Sequence, residues 1–371
     1  MMRAYVLKAI GDVALEETTR PELDGSGIAG TDGRPSVPDD DCVILKVKAA
    51  GICGSDIPRI YKTGAYHHPL VPGHEFSGVI EETGKNVPES MKGKRAGVFP
   101  LIPCRECGPC QDLRYEMCEN YNYLGSRCDG GFAEYVKVPF WNTVLLPDNV
   151  SFEQAAMLEP MSVAMHAVRQ SGLETVKENI DPGLPIAVCG LGTIGLFTVM
   201  HLKSLGYENI HCVGNKDFQK EKLSLLGIGP DRYTDFKRSD PVADIMEKTK
   251  GKGVSAFFEC VGTNASLNLG LDLLGASGIL RLVGNPASDM ALEKKLYWKI
   301  LRKQLTLSGT WNSSFKGHGR DDWSIVLENL ENGSIKPEMF ITHRLSLDEL
   351  GRGFEMMRDK SENYIKVMCL M

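Results

Sequence analysis

The chain has 371 residues, of which 42% are hydrophobic and 24% are charged, as in soluble globular proteins of two or three domains. Its formal net charge of −6 at pH 7 gives no electrostatic reason to expect a nucleic acid or an anionic membrane as a partner. The N-terminal stretch is interrupted by Lys8 and Asp12, so it is too polar for a signal peptide and too short to span a bilayer. Several of the 11 cysteines are scattered and unpaired by spacing, as in a reducing compartment, and the predicted location is the cytoplasm.

Residues 1–160 have the pattern of a β-rich domain, because short apolar segments are separated by frequent Pro and Gly. Residues 23–41 are rich in Gly, Ser and Asp, which predicts a surface insertion to which no function is assigned. The strands predicted in this region are 2–7, 42–49, 76–81, 95–99 and 132–137.

After residue 150, helical periodicity alternates with apolar runs, which predicts a parallel, doubly wound sheet. The predicted helices are 151–157, 161–170, 196–205, 265–274 and 346–358. The predicted strands are 185–189, 210–213, 254–260, 279–283 and 364–369. The fold class is therefore α/β, with a β-rich domain at 1–160, a doubly wound domain at 161–308, and a segment at 309–371 that we expect to rejoin the β-rich domain.

The segment 190–195 reads Gly-Leu-Gly-Thr-Ile-Gly, follows an apolar strand and opens a helix. This context favours a dinucleotide site, because the glycines let the backbone approach a pyrophosphate and the helix N-terminus attracts negative charge. The alternative is a glycine-rich turn that binds no ligand. The coenzyme-binding candidates here and after the later strands are Gly190, Gly192, Thr193, Ile194, Val261, Val283 and Gly284.

The choice between NAD and NADP depends on the end of the next strand, where an acidic side chain would bind the ribose hydroxyls of NAD. Asn215 occupies the expected region, Lys216 could meet a 2′-phosphate, and Asp217 lies slightly late. Both coenzymes therefore remain open, and Lys216 and Asp217 could also be a solvated pair at a helix start.

Four cysteines, at Cys104, Cys107, Cys110 and Cys118, lie in a loop rich in Gly, Pro and charge. Four thiolates from one short loop can surround a tetrahedral zinc and leave no ligand position open, which predicts a structural zinc site. Disulfides are the alternative, and the spacing is not that of a ferredoxin iron–sulfur cluster.

A second metal site is predicted from Cys53, His74 and Glu159, which offer a thiolate, an imidazole and a carboxylate. Three such ligands leave a fourth position for water or substrate, which is typical of a catalytic zinc. Glu75 could replace Glu159 or lie behind the ligands, and either carboxylate alone could be an ordinary ion-pair partner.

Two further residues support this second site. Asp56 is placed to accept the second ring N–H of His74 and fix its tautomer. Ser55 is placed to hydrogen-bond the substrate oxygen and pass its proton outward. The catalytic candidates are Cys53, Ser55, His74, Glu75 and Glu159.

With these residues in view, the chain resembles the zinc-containing medium-chain alcohol and polyol dehydrogenases. The resemblance is carried by 73–78 (GHEFSG), the four-cysteine loop, 129–135 (DGGFAEY) and the glycine loop, in the family's order. It implies a GroES-like catalytic domain, a Rossmann coenzyme domain, two zinc ions per chain, and a homodimer or homotetramer. It also implies the reversible oxidation of a secondary alcohol, with Cys53, His74 and Glu159 as the catalytic zinc ligands.

Within the family, the segments 53–60, 125–127, 299–303 and 308–311 resemble the branch that oxidises galactitol 1-phosphate. A sugar-alcohol phosphate needs cations at the site, because guanidinium and ammonium groups bind phosphate oxygens. The alternative is that these cations are ordinary surface charges. The candidates are Arg59, Arg127, Arg302 and Lys303.

Two other functions are compatible with the same skeleton. One is a dehydrogenase of a free polyol, a small diol or an amino alcohol, such as sorbitol, butanediol or threonine. The other is a protein that binds NADPH without catalysis and acts through interactions. In a protein of that kind we expect the catalytic zinc ligands to be missing.

Overall fold

The computed structural model describes residues 1–30, 34–174, 180–286 and 288–371. The chain divides into two compact units, Met1–Glu159 with Ser313–Met371, and Pro160–Asn312. Within the described residues, no helix is both long and apolar enough to cross a bilayer.

The first unit is built mainly from strands, numbered here along the chain. They are β1 (Met2–Ala9), β2 (Asp12–Thr18), β3 (Cys42–Ile52), β4 (Glu75–Thr83), β5 (Arg95–Val98), β6 (Leu101–Ile102), β7 (Asn122–Tyr123), β8 (Tyr135–Pro139), β9 (Thr143–Leu145), β16 (Ile341–Ser346) and β17 (Lys366–Leu370). Its helices are α1 (Asp56–Pro58), α2 (Gly108–Gln111), α3 (Phe152–Ala156), α10 (Asp322–Glu331) and α11 (Leu350–Asp359).

Strand β3 is the centre of the main sheet of this unit, whose order is β16-β17-β3-β4-β5-β9, with β8 also paired to β3. Its apolar run is buried along nearly its whole length, which suits a strand covered on both faces. Strand β17 pairs antiparallel with β3, so the C-terminal segment lies in the β-rich unit.

One predicted strand, 132–137, begins later than expected, at Tyr135. The reason is that the backbone N–H groups of Gly131 and Phe132 donate to Gly73 and Pro72 and therefore join a loop instead of the sheet. Phe132 is nevertheless fully buried in the core of the unit.

The insertion at 23–41 is anchored to the β-rich unit. Ile28 and Val37 form an isolated antiparallel bridge, and buried Asp39 pairs with Lys137 at 2.6 Å. Residues 31–33 of the insertion lie outside the described part of the chain.

The second unit alternates strands and helices. Its strands are β10 (Ile186–Cys189), β11 (Ile210–Gly214), β12 (Tyr233–Asp235), β13 (Val254–Glu259), β14 (Leu274–Leu282) and β15 (Thr306–Gly309). Its helices are α4 (Leu158–Gln170), whose first two residues belong to the first unit, α5 (Thr193–Leu205), α6 (Asp217–Ser224), α7 (Pro241–Lys248), α8 (Asn264–Leu273) and α9 (Lys294–Lys303).

The sheet of the second unit has the order β12-β11-β10-β13-β14-β15, and every described pairing in it is parallel. The predicted doubly wound parallel sheet is therefore confirmed. The strand order reverses between β10 and β13, and in open α/β sheets ligands bind outside the carboxyl ends of the strands at such a point.

Candidate metal centre and coenzyme site

The four-cysteine loop brings its sulfurs together, all within 4.8 Å of one another. The Sγ of Cys104 lies 3.9 Å from that of Cys110 and 3.4 Å from that of Cys118, and Cys107 lies 3.9 Å from Cys118. Zinc–sulfur bonds of about 2.3 Å place tetrahedral sulfurs about 3.8 Å apart, whereas a disulfide joins them at about 2.05 Å. All four are free cysteines, so the geometry fits a closed tetrahedral metal site and not the alternative of disulfides.

The backbone of this loop favours a thiolate at Cys104, whereas burial raises the pKa of Cys110 and Cys118. Burial opposes ionisation, but hydrogen bonds from the N–H groups of Glu106 and Cys107 lower the pKa of Cys104 to about 7. At neutral pH this sulfur is therefore partly in its thiolate form, which is the form that ligates a metal.

A second cluster forms where β3 ends and β4 begins. The two strands are antiparallel neighbours and Gly51 pairs with Glu75, so the turn after β3 brings Cys53 next to His74 and Glu75. One ligand atom from each of these three residues lies within 4.8 Å of the others. A thiolate, an imidazole and a carboxylate at this spacing suit zinc.

Asp56 lies directly behind this cluster and is fully buried. Its Oδ1 is 3.3 Å from Nδ1 of His74 and 2.9 Å from the guanidinium of Arg59, and its Oδ2 accepts the Cys53 N–H at 3.0 Å. Burial would raise the pKa of Asp56, but the facing His74 and Arg59 outweigh it and lower that pKa. A carboxylate at Nδ1 leaves Nε2 of His74 for a metal. The Ser55 hydroxyl donates to the Cys53 sulfur at 3.3 Å.

Glu75 is held by a buried lysine from the last strand. The ammonium of Lys366 lies 2.5 Å from Oε2 of Glu75 and also donates to the carbonyl of Ile52 at 3.2 Å. A Cβ on Gly51 would lie 2.3 Å from Oε2 of Glu75, so only glycine leaves room for the carboxylate. The other oxygen, Oε1, is buried and has no hydrogen-bond partner among the described residues.

Glu159 is also buried, and Tyr123 donates a hydrogen bond to its Oε1 at 3.3 Å. Burial, followed by the charge of Glu75, raises the pKa of Glu159 to about 7, although His74 and Lys366 oppose the shift. Burial and Glu159 in turn raise the pKa of Tyr123 well above its ordinary value. The ring of Tyr123 lies 5.8 Å from that of His74, so it packs beside the cluster.

In the forms that ligate a metal, the charges of this cluster do not balance within the part of the chain that the structure describes. With Cys53 as a thiolate, Glu159 ionised and His74 neutral, four anionic groups face two cations, which leaves two negative charges uncompensated. Burial opposes a charge on His74, but Asp56 and Cys53 outweigh it and raise the pKa of His74 well above its ordinary value, so a proton on this ring competes with a metal cation for the same negative charge. Buried charge of this kind is costly unless it is paired, and one divalent cation would neutralise it. The anionic groups are Cys53, Asp56, Glu75 and Glu159, and the cations are Arg59 and Lys366.

The glycine loop of the second unit has the geometry that a dinucleotide needs. Gly190 has φ +94°, and a Cβ on Gly195 would lie 1.8 Å from the carbonyl of Gly190, so the turn and the helix pack backbone against backbone. Helix α5 begins at Thr193, and its N-cap, Gly192, makes no side-chain capping bond. The N-terminus of α5, which attracts negative charge, therefore follows the glycine loop directly.

Strand β11 ends at Gly214 and therefore carries no carboxylate at its last position. A Cβ there would lie 2.5 Å from Oε1 of Gln219, which also accepts the N–H of Asn215 at 3.0 Å. The backbone N–H of Lys216 donates to the hydroxyl of Tyr233 at 3.0 Å, and this hydroxyl donates to the carbonyl of Lys216, also at 3.0 Å.

Two acidic side chains near this end of β11, Asp217 and Asp235, are engaged by Arg238. Asp217 and Arg238 form a bidentate pair, with N–O distances of 2.9 and 2.8 Å, which lowers the pKa of Asp217. Asp235, which pairs with Gly214 in the sheet, lies 3.3 Å from the same guanidinium. Lys216 is exposed and forms no ion pair within the described residues. Asp217 and Asp235 together balance the charges of Arg238 and Lys216, and Lys216 is the cation of this group that has no ion-pair partner among the described residues.

The candidate phosphate ligands fall into two groups. Arg59 and Arg127 belong to the first unit, where Arg59 pairs with Asp56 and the Arg127 guanidinium lies between two rings, 4.4 Å from Tyr66 and 4.0 Å from Tyr121. Arg302 and Lys303 lie on α9 in the second unit. Lys303 donates to the carbonyl of Leu274, and Arg302 lies over the ring of Trp298 at 5.2 Å.

Comparison with known proteins shows the family of the chain. Residues 39–148 match the family model of the alcohol dehydrogenase GroES-like domain, and residues 193–332 match that of the zinc-binding dehydrogenases. The chain is 32% identical to galactitol 1-phosphate 5-dehydrogenase of Escherichia coli strain K12 over 331 residues, which cover 89% of this chain and 92% of that protein. It belongs to the zinc-type medium-chain alcohol and polyol dehydrogenases.

Other members of the family are similar over comparable lengths. D-arabitol-phosphate dehydrogenase of Enterococcus avium is 32% identical over 342 residues, which cover 90% of this chain and 91% of that protein. A protein of Sinorhizobium meliloti 1021, solved with NADP bound, superposes with a TM-score of 0.85 at 26% identity and covers 100% of this chain and 99% of its own. The predicted family and the predicted GroES-like and Rossmann architecture are confirmed.

Several residues of the dehydrogenase site are absent from the candidates predicted from sequence. Lys366 and Tyr123 contact the two carboxylates of the metal cluster, and Tyr233 and Arg238 shape the end of β11. A signal exists for Lys366, because it is the only charged residue in the apolar run of 365–370. The other three have no sequence signal, since their partners lie far along the chain.

Proposed function

We propose that this dehydrogenase interconverts a secondary alcohol of a polyol phosphate, such as galactitol 1-phosphate, and the corresponding ketone, with NADP as the hydride carrier. The observation that supports it most is the cluster of Cys53, His74 and Glu75, whose ligand atoms lie within 4.8 Å of one another. The four-cysteine loop supports a second, structural zinc in the same chain.

The catalytic metal would be held by Cys53, His74 and one carboxylate, and we assign the carboxylate to Glu159. Glu75 is nearer to the other two ligands, but Lys366 already compensates its charge. Glu159 has a tyrosine hydroxyl and no ion-pair partner among the described residues, so a divalent cation would stabilise it more. Glu75 then remains as an exchangeable neighbour.

When bound, zinc supplies a Lewis acid for the substrate oxygen, and the nicotinamide accepts the hydride. The protein supplies orientation and proton control. Asp56 keeps the proton of His74 on Nδ1, which directs Nε2 toward the metal position. The Ser55 hydroxyl, which donates to the Cys53 sulfur in this structure, can turn to accept and pass on the substrate hydroxyl proton.

For the coenzyme, the end of β11 supports NADP over NAD. Gly214 offers no carboxylate for ribose hydroxyls, Asp217 is paired with Arg238, and the Lys216 ammonium has no ion-pair partner among the described residues. A 2′-phosphate could bind the Lys216 ammonium, whereas a 2′-hydroxyl would gain little from it.

For the substrate, Arg127 is the better candidate for binding phosphate. Stacking between two tyrosine rings fixes its guanidinium plane, and its Nη1 donates to the carbonyl of Tyr121 at 2.8 Å. A fixed guanidinium binds phosphate oxygens with little loss of side-chain entropy. Arg59 is linked to the metal ligand His74 through Asp56, which already compensates its charge.

We also propose a homodimer formed through β15. This strand is an edge of the parallel sheet, and exposed edges readily pair with another strand. Trp298, Leu301 and Trp311 in the same unit are each about half exposed, at 47%, 49% and 56%, which is unusual for large apolar side chains. Leu301→Glu should give a monomer in light scattering, and a monomeric wild-type protein would contradict the proposal.

Metal analysis combined with kinetics tests the main proposal. The wild-type protein should hold two zinc ions per chain, and Cys53→Ala should hold one and lose turnover while it still binds NADP. Initial rates on galactitol 1-phosphate, sorbitol, butanediol and threonine should give a much higher kcat/KM for the phosphorylated polyol. Equal values for phosphorylated and free polyol would reject the phosphate specificity. One zinc and no turnover in the wild type would favour a binding protein.

A further inference from the structure

Glu259, the last residue of β13, joins two loops at the carboxyl edge of the parallel sheet. Its side chain is 1% exposed, and its Oε1 accepts the consecutive backbone N–H groups of Val261 and Gly262, each at 2.8 Å. Its backbone carbonyl accepts the N–H groups of Val283 and Gly284, each at 2.9 Å. One residue thus fixes the loop after β13 and the loop after β14.

The two loops are also in direct backbone contact. Gly262 has φ +82°, and a Cβ on it would lie 1.8 Å from the carbonyl oxygen of Asn285. A Cβ on Gly284 would lie 2.3 Å from the nitrogen of Gly262. Because no side chain separates them, a displacement of one loop must displace the other.

The loop after β13, which Glu259 holds, also contacts the glycine loop at 190–195. A Cβ on Gly190 would lie 2.6 Å from Cγ2 of Val261, so this valine packs against the first glycine of the motif. Val261 is nevertheless 43% exposed, which leaves an apolar surface at the carboxyl end of the sheet. The site lies where the strand order reverses, between β10 and β13.

Consecutive backbone N–H groups form a concave site that binds anions. Here the carboxylate of Glu259 fills that site from within the protein. The N–H groups of Val261 and Gly262 are therefore engaged, and the N-terminus of α5 is left to bind the pyrophosphate.

We propose that Glu259 is a positioning residue for the coenzyme. Its carboxylate fixes Val261 and Gly262 against Gly190 before the coenzyme arrives, so that the apolar surface of Val261 forms a preset wall of the coenzyme site. This role rests on the proposed use of a nicotinamide coenzyme.

The test uses full-length zinc-loaded protein and three variants. Glu259→Ala removes the acceptor, and Glu259→Gln keeps one oxygen but removes the charge. Thr234→Val is the matched control. Thr234 lies on β12 of the same unit, and its replacement removes a hydrogen bond from a buried side chain to Asp244. Amide hydrogen exchange is measured without coenzyme, and NADPH affinity is measured by its fluorescence.

In Glu259→Ala, the amides of 261–262 should exchange at least about tenfold faster, and the NADPH Kd should rise about tenfold, because two charge-assisted hydrogen bonds are lost. In Glu259→Gln the Kd should rise about threefold, and the control should change neither quantity. At saturating coenzyme, kcat should stay within about twofold of wild type for both Glu259 variants, since the carboxylate acts before chemistry.

Faster exchange with an unchanged Kd would overturn the role and leave Glu259 as a structural residue. Unchanged exchange in Glu259→Ala would also overturn it. If Glu259→Ala does not fold, Glu259→Gln decides, and an unchanged Kd in that variant overturns the role. A wild-type protein that binds neither NADPH nor NADH would overturn the proposed function. An unchanged affinity in the variants would overturn only the role of Glu259.

Discussion

Substitution of Lys216 by alanine should lower the use of NADP and leave the use of NAD unchanged. The ammonium is exposed and has no ion-pair partner among the described residues, and the backbone on both sides of it is fixed by Tyr233. An exposed ion pair contributes about 0–1 kcal/mol, and a hydrogen bond to a charged group contributes about 1.5–3 kcal/mol. One ammonium on a dianionic phosphate at the surface lies between these ranges, at about 1–2 kcal/mol, or roughly 5- to 30-fold in kcat/KM.

The assay is the initial rate with each coenzyme at fixed substrate, at low and at high salt. The loss with NADP should shrink as salt rises, because the contact is exposed and screened. Lys252→Ala is the matched control, since Lys252 is exposed but precedes β13 and so lies at the opposite, amino end of the sheet. Asn215→Asp should act in the same direction, because a carboxylate there repels a 2′-phosphate and binds a 2′-hydroxyl.

Three results would refute this reasoning. Equal losses with NAD and NADP in Lys216→Ala would mean that the lysine acts on the fold and not on the phosphate. An equal loss in Lys252→Ala would mean that the effect is one of general surface charge. A wild-type preference for NAD would refute the proposed coenzyme itself.

Three further predictions concern the metal sites and the fold. Cys118→Ser should lower the zinc content from two ions to one per chain and lower the Tm, because metal binding at a closed structural site contributes to the free energy of folding. Two zinc ions per chain in the variant would contradict the four-cysteine site. Lys366→Met should lower the free energy of unfolding of the zinc-loaded protein in urea by about 3–5 kcal/mol, since it leaves the buried Glu75 carboxylate uncompensated. The double variant with Glu75→Gln should recover part of this loss. A loss below about 1 kcal/mol in Lys366→Met would show that the ion pair is not needed for stability. Burial, followed by the charge of Arg232, lowers the pKa of His211 to about 4. The unfolded chain therefore binds the proton first as pH falls from 6.5 to 4, so this histidine costs up to about 3 kcal/mol of stability across that window. His211→Gln should lose less stability than the wild type between pH 7 and pH 4.5, and parallel losses would contradict the shift.

The fold class follows from the sequence because its periodicity is strong in the buried elements. Strand β10 is buried on both faces and is a continuous apolar run, β3 is apolar except for Lys46 and Lys48, and the glycines of 190–195 allow a tight strand-to-helix turn. Helix α6 does not show a comparable pattern, because most of its side chains face solvent and little apolar periodicity is needed there. The exact start of β8 also depends on a long-range loop contact and not on local residues.

By itself, the sequence predicted the ligand types of both candidate metal clusters and the glycine loop, since residue type and short-range spacing suffice for thiolates in one loop and for glycines in one turn. Only the tertiary structure decided which charges meet. It placed Lys366 on Glu75, Tyr123 on Glu159, and Glu259 beneath two loops, across separations that no local pattern records. The physical reason is that a buried charge is tolerated only beside its partner, and chain topology alone determines which distant residue that partner is.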